Sequence, residues 1–88
     1  MDYLFQATRQ STANTIRQQM RKVCEEATEL REAVETAAID IDIIDEALDT
    51  IHACEGLLRK YPADLVDSSI IEVRLKNKRR GYYDMERI

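Results

Sequence analysis

Two glycines and one proline in 88 residues leave almost nothing to interrupt a helix, and this scarcity constrains the fold more than any other feature of the chain. Glycine and proline are the residues that most readily turn a backbone or end regular structure. Here Gly56, Pro62 and Gly81 all lie in the second half, so the remaining stretches are long enough for helices of several turns. With 34% charged and 44% apolar residues the composition is that of a globular domain, and 88 residues allow one domain, spanning 1–88.

Apolar spacing says where the helices run. Ile16, Met20, Val23, Ala27, Leu30 and Val34 recur at intervals of four and three, one stripe on a helix that starts near Thr12 to Asn14 and fades near Ala38. A second stripe, Ile41, Ile44, Leu48, Ile51, Cys54 or Glu55, and Leu58, predicts another helix that stops at or just before Tyr61-Pro62. Ile39, Ile41 and Ile43 alternate with Asp40 and Asp42 as a strand would, but no partner strand exists elsewhere, so the helix is preferred. The third element runs from about Asp64 to Arg80, capped by Asp64 or, for a later start, by Ser69-x-x-Glu72, and Gly81 supplies a stop. Residues 2–11 form a short leading helix in this reading, docked through Tyr3, Leu4, Phe5 and Ala7, and Tyr82 to Ile88 form a tail.

The expected fold is all-α: an antiparallel helical bundle completed by homo-oligomerisation. A chain this short buries a modest core, and a hairpin with one further helix leaves an apolar face uncovered. No apolar run reaches membrane-spanning length and the N-terminus has no signal-peptide pattern, which points to the cytoplasm. Cys24 and Cys54 then read as small buried hydrophobes in a reducing compartment.

The charges are segregated. Between Glu25 and Glu55 stand eleven acidic side chains and one basic one, Arg31; between Arg74 and Arg80 stand five basic side chains and no acid. Two solvated faces of opposite sign, packed against each other or not, would account for this. A sharper reading starts from the pairs Glu26-x-x-Glu29 and Glu46-x-x-Asp49. Residues three apart share a helix face, so two antiparallel helices can bring all four carboxylates together. Such a cage repels itself unless cations enter it, and hard oxygen donors suit Mg²⁺, with Mn²⁺ as the alternative. A solvated acidic face is the competing account of the pairs, and a helix terminus that favours its own dipole is that of Arg74 to Arg80. Asp49-x-x-His52 loosely matches the ligand pairs of di-iron bundles, but those use glutamate. No zinc spacing, phosphate-cradling glycine loop or covalent nucleophile constellation is present.

Glu25-Glu26-Ala27-Thr28-Glu29 followed by Glu46-Ala47-Leu48-Asp49 resembles the Glu-Glu-x-x-Glu … Glu-x-x-Asp signature of all-α nucleoside triphosphate pyrophosphohydrolases, the MazG-like superfamily with its dimeric dUTPases and dCTP pyrophosphatases. Lys76-Asn77-Lys78-Arg79-Arg80-Gly81-Tyr82 is similar to the Lys-Asn-x-x-Arg stretch after the third helix of MazG-like members, and the matching segments cover roughly residues 18–83. The resemblance implies hydrolysis between the α and β phosphates, releasing monophosphate and pyrophosphate. It implies Glu26, Glu29, Glu46 and Asp49 as metal-binding and catalytic residues, one of which takes the water's proton. It also implies Asn77 and Arg80 as contacts to nucleotide or phosphate, in a dimer or a dimer of dimers. Many relatives carry a lysine four residues before the asparagine; here that place is Val73, and Arg74, Lys76 or Lys22 is the substitute. The competing reading from another class is a non-catalytic helical interaction module that dimerises through its stripes. Nucleic acid is not an expected partner, because the basic run is short and net charge is −4.

Overall fold

Residues 1–84 are described by a computed structural model whose helices are α1 (Arg9–Ala13), α2 (Ile16–Glu35), α3 (Asp40–Leu58) and α4 (Ala63–Arg79), with no strand among these residues. α2 begins later than its expected start, because Thr15 and Gln18 close a reciprocal capping box. The Gln18 N–H donates to Thr15 Oγ1 at 3.1 Å, and the Thr15 N–H donates to Gln18 Oε1 at 2.8 Å. The alternating Ile39–Ile43 stretch is helical from Asp40, with Asp40 and Asp42 in a first turn where negative charge is favoured. α4 starts directly after Pro62 and runs unbroken through Ser69, so neither the Asp64 cap nor the Ser69-x-x-Glu72 start is realised. Gly81, at φ 74°, turns the chain away just past α4, as expected.

α2 and α3 lie antiparallel, Gln19 opposite Ala53 and Glu26 close to Glu46. Their mutual seam is not the one expected. The expected stripes place Glu26 and Glu29 at the edge of an apolar contact; instead Gln19 and Glu26 are buried, and Glu29 is exposed. The apolar rows mostly face outward: Ile16, Met20 and Val34 on α2, and Ile41, Ile44, Leu48 and Ile51 on α3, with Ile41 56% and Ile44 52% exposed. Among the described residues only Ala53 and Val66 are fully buried apolar side chains. A compact monomer of this length would show about 5,300 Å² of surface, whereas this chain shows 7044 Å². Its radius of gyration is 15.3 Å, against about 12 Å for a compact chain of this length.

The leading segment also departs from expectation. Residues 1–7 are not helical, and α1 is confined to Arg9–Ala13. The segment lies as a strap across one face of α3, where His52, Glu55 and Arg59 hold its backbone. The Leu4 and Phe5 N–H groups donate to the two carboxylate oxygens of Glu55 at 2.7 and 2.9 Å. Arg59 donates to the Phe5 carbonyl and its guanidinium lies 4.2 Å from the centre of the Tyr3 ring. His52 Nε2–H donates to the Gln6 carbonyl at 3.0 Å, and its ring stacks on Phe5 at 4.6 Å. Glu55 is a buried charge fully used by this clasp. Glu55→Ala therefore leaves two amides without an acceptor and is expected to lower unfolding stability by about 2–3 kcal/mol, read from urea denaturation.

α4 makes no packing comparable to that between α2 and α3 against any other helix, so the basic segment is not held on the acidic hairpin. Both cysteines are free; Cys54 is half-buried, but Cys24 is exposed, contrary to the expectation of burial. No helix among the described residues is long and apolar enough to cross a membrane. The end of the expected tail, residues 85–88, lies outside the described residues.

Candidate metal centre

The acidic pairs are set on facing turns of α2 and α3, and the hairpin brings three of their four carboxylates to one point. One oxygen each from Glu26, Glu46 and Asp49 lies within 4.8 Å of the others. The three differ in burial: Glu26 is buried, Glu46 half-buried and Asp49 exposed, so the cluster opens outward through Asp49. With the neighbouring carboxyl groups ionised, Glu26 Oε2 and Glu46 Oε2 are buried and accept no hydrogen bond. Buried carboxylate oxygens are ordinarily satisfied, and leaving them bare costs the desolvation of each. Three convergent carboxylates, two of which keep a buried unpaired oxygen, offer the hard oxygen donors a divalent cation takes, so these residues fit Mg²⁺ or Mn²⁺.

Glu29 stands outside the trio on the exposed side of α2. Its carboxyl is held above the ordinary value of 4.5, first by the negative charge of Glu26, then by a hydrogen bond with Glu26, with burial and Glu46 adding. Because the folded state keeps this proton to a higher pH than the unfolded chain does, the effect favours folding at low pH. It turns against folding as pH rises through the window above 4.5. A cation seated on the trio reverses the local field. The ¹³C titration of Glu29 is therefore expected to show a midpoint above 4.5 without metal and a lower one with saturating Mg²⁺; an unmoved midpoint would remove the link between Glu29 and the cluster.

Lys22 is one turn before Glu26 and bonds it, Nζ to Oε1 at 2.8 Å. That hydrogen bond, ahead of the opposing effect of burial and the added pull of Glu25 and Glu29, raises the lysine above 10.5, so it is charged throughout the neutral range. Lys22, Glu26 and Asp49 form one wall of a cavity of about 250 Å³ whose other walls include Thr8, Gln10, Ser11, Asn14, Gln19 and His52. The cavity is therefore charged at one end and neutral-polar at the other. His52 is tied through Nε2 to the strap and is not part of the carboxylate cluster, so the Asp49-x-x-His52 pair is not a joint ligand set here.

The remaining expected contacts lie elsewhere in the single chain. Lys76 and Arg80 are exposed and Asn77 half-buried at the far end of α4; Asn77 Nδ2 donates to Tyr83 Oη at 3.4 Å and Arg80 lies over Tyr82. None of the three lines the cavity. The cavity residues of α1 and the linker, and Gln19, carry no periodic signal that a sequence reading can find. Only the Thr15-x-x-Gln18 box would have placed the start of α2 correctly and thereby set Asn14 outside the helix. No family model, no curated protein and no solved structure matches the chain.

Proposed function

We propose that this chain is a Mg²⁺-dependent nucleoside triphosphate pyrophosphohydrolase that cleaves between the α and β phosphates and works as a homo-oligomer. The observation that carries the reading is the convergence of Glu26, Glu46 and Asp49 with two buried carboxylate oxygens left bare beside a lysine and an open cavity. The resemblance of Glu25–Glu29 and Glu46–Asp49 to the MazG-like signature supports the same chemistry.

Glu26, Glu46 and Asp49 hold the cation. Bound there, Mg²⁺, or Mn²⁺ in its place, supplies neutralisation of phosphate charge and acidifies water. Lys22 sits at the charged end of the cavity, where its ammonium can pair with a phosphate oxygen. Glu29, next to the trio and not part of it, is the carboxylate left to take the proton of an attacking water. Lys76, Asn77 and Arg80 reach substrate from a second copy, since α4 of the same chain leaves them away from the cavity. The outward apolar rows give that copy its seat.

Incubation with a nucleoside triphosphate panel, followed by ³¹P NMR with Mg²⁺ and with EDTA, tests the reading. Monophosphate and pyrophosphate appearing only with Mg²⁺ are expected. No turnover by the folded protein with either Mg²⁺ or Mn²⁺ would sink the enzyme and leave a non-catalytic oligomeric module.

A further inference from the structure

The neutral end of the cavity is held by a buried amide relay. Gln19 is only 2% exposed, the most deeply buried side chain of the hairpin, and it is polar. Its Nε2 donates to the Ala53 carbonyl of α3 at 3.0 Å, and its Oε1 accepts from Asn14 Nδ2 at 2.9 Å. A backbone carbonyl can only accept, so this bond decides which end of the Gln19 amide faces α3. That choice turns Oε1 toward Asn14 and so decides the orientation of the Asn14 amide as well. Asn14 is fixed at its backbone too, because Lys60 Nζ donates to the carbonyls of Asn14 and Ser11.

The protein accommodates this arrangement with a glycine inside α3. A Cβ at Gly56 would stand 2.8 Å from Gln19 Nε2 and 3.0 Å from Ser11 Cβ, too close for either to stay where it is. Glycine in a helix interior is disfavoured, and a buried amide serves stability no better than leucine or methionine in its place would. What the arrangement achieves is an asparagine at the cavity wall with a preset orientation. Its Oδ1 has no partner among the described residues, and its second Nδ2–H is likewise unspent.

We infer that Asn14, oriented by Gln19, hydrogen-bonds the base edge of the bound nucleotide, one that carries a donor and an acceptor side by side. This rests on the nucleotide reading above. A primary amide offers one acceptor and one donor in a plane, the complement of such an edge. The neighbouring walls, Thr8, Gln10 and Ser11, are uncharged and suit a base, while the phosphates belong at the Lys22 and carboxylate end. Asn14 thus selects the base, and Gln19 is a positioning residue that acts through it.

Equilibrium binding with Mg²⁺ tests this separately from turnover. The probes are the α,β-imido analogues of ATP, GTP, CTP and UTP, with inorganic tripolyphosphate as the base-free control. The parent protein is expected to rank the four bases. Asn14→Ala is expected to weaken the best of them roughly tenfold or more and flatten the ranking, with tripolyphosphate binding unchanged. Asn14→Asp, which exchanges a donor for an acceptor, is expected to change the order. Gln19→Met and Gly56→Ala, which free or displace the relay, are expected to flatten the ranking in the same way while thermal melts report that the variants fold. A base ranking that survives in Asn14→Ala, or a parent protein that binds all four analogues no differently from tripolyphosphate, would overturn the inference. Either result leaves hydrolysis to be judged by the ³¹P assay.

Discussion

Asp49→Asn is expected to lose Mg²⁺-dependent turnover by at least about a hundredfold, a loss that residues merely supporting metal ligands already cause, while melting no lower than the parent protein without metal. The combination is diagnostic. In the metal-free protein the trio is three carboxylates whose oxygens crowd within 4.8 Å, and Asp49 is exposed, so removing its charge relieves repulsion and opens no cavity. On the proposed reading the same carboxylate would ligate the added metal. The parent protein is therefore expected to gain thermal stability on adding Mg²⁺, and the variant to gain less, because at a given concentration a ligand stabilises the folded state less the more weakly it binds. Glu46→Gln is expected to behave alike. Glu26→Gln adds a complication, since it also removes the partner of Lys22. Circular dichroism melts with and without Mg²⁺, alongside ³¹P NMR, give both readouts; an Asp49→Asn protein that turns over normally would remove the carboxylate site from the chemistry.

Ile44→Asp combined with Leu48→Asp is expected to convert an oligomer into a monomer and to abolish turnover with it. These two belong to the row Ile41, Ile44, Leu48 and Ile51 on the outer face of α3, which faces solvent in the single chain. The chain exposes about 1,700 Å² more than a compact monomer of its length would, and an obligate homodimer buries about 2,000–5,000 Å² over both partners. Placing carboxylates in the middle of such an interface leaves charges that association would have to desolvate. Turnover falls with assembly because Lys76, Asn77 and Arg80 are away from the cavity of their own chain. Sedimentation or light scattering across a concentration series reads the assembly. A parent protein that is already monomeric when active would refute the arrangement in trans.

Local features were legible from the residue order alone. Three long helices follow from the spacing of apolar residues and the scarcity of glycine and proline, and the Gly81 stop follows from its freedom at positive φ. The pairing of Glu26 with Glu46 and Asp49 was legible as well, because residues three apart share a face and a short turn makes neighbouring helices antiparallel. These are statements about neighbours along the chain, and the backbone geometry that governs them is the same in every protein. The strap was not legible, since Glu55, Arg59 and His52 grip main-chain groups of residues 4–6, and any sequence presents those. Nor was the relay through Gln19, a polar residue indistinguishable in the chain from its neighbour Gln18 at the cap.

The largest difference concerns which way the helices face. Periodicity identified the apolar rows of α2 and α3, but tertiary structure put most of each row outside and closed the hairpin on Gln19, Glu26, Glu46 and Ala53. A periodic stripe states only that a helix has an apolar side requiring burial; it does not state whether the covering surface comes from the same chain or from another. By itself the sequence determined the helices and the acidic pairs, which depend on contacts within a turn. Only the tertiary structure decided that Glu26 and Glu46, not the apolar rows, occupy the inner seam, because that depends on how two whole helices rotate about their own axes, and no local contact sets that rotation.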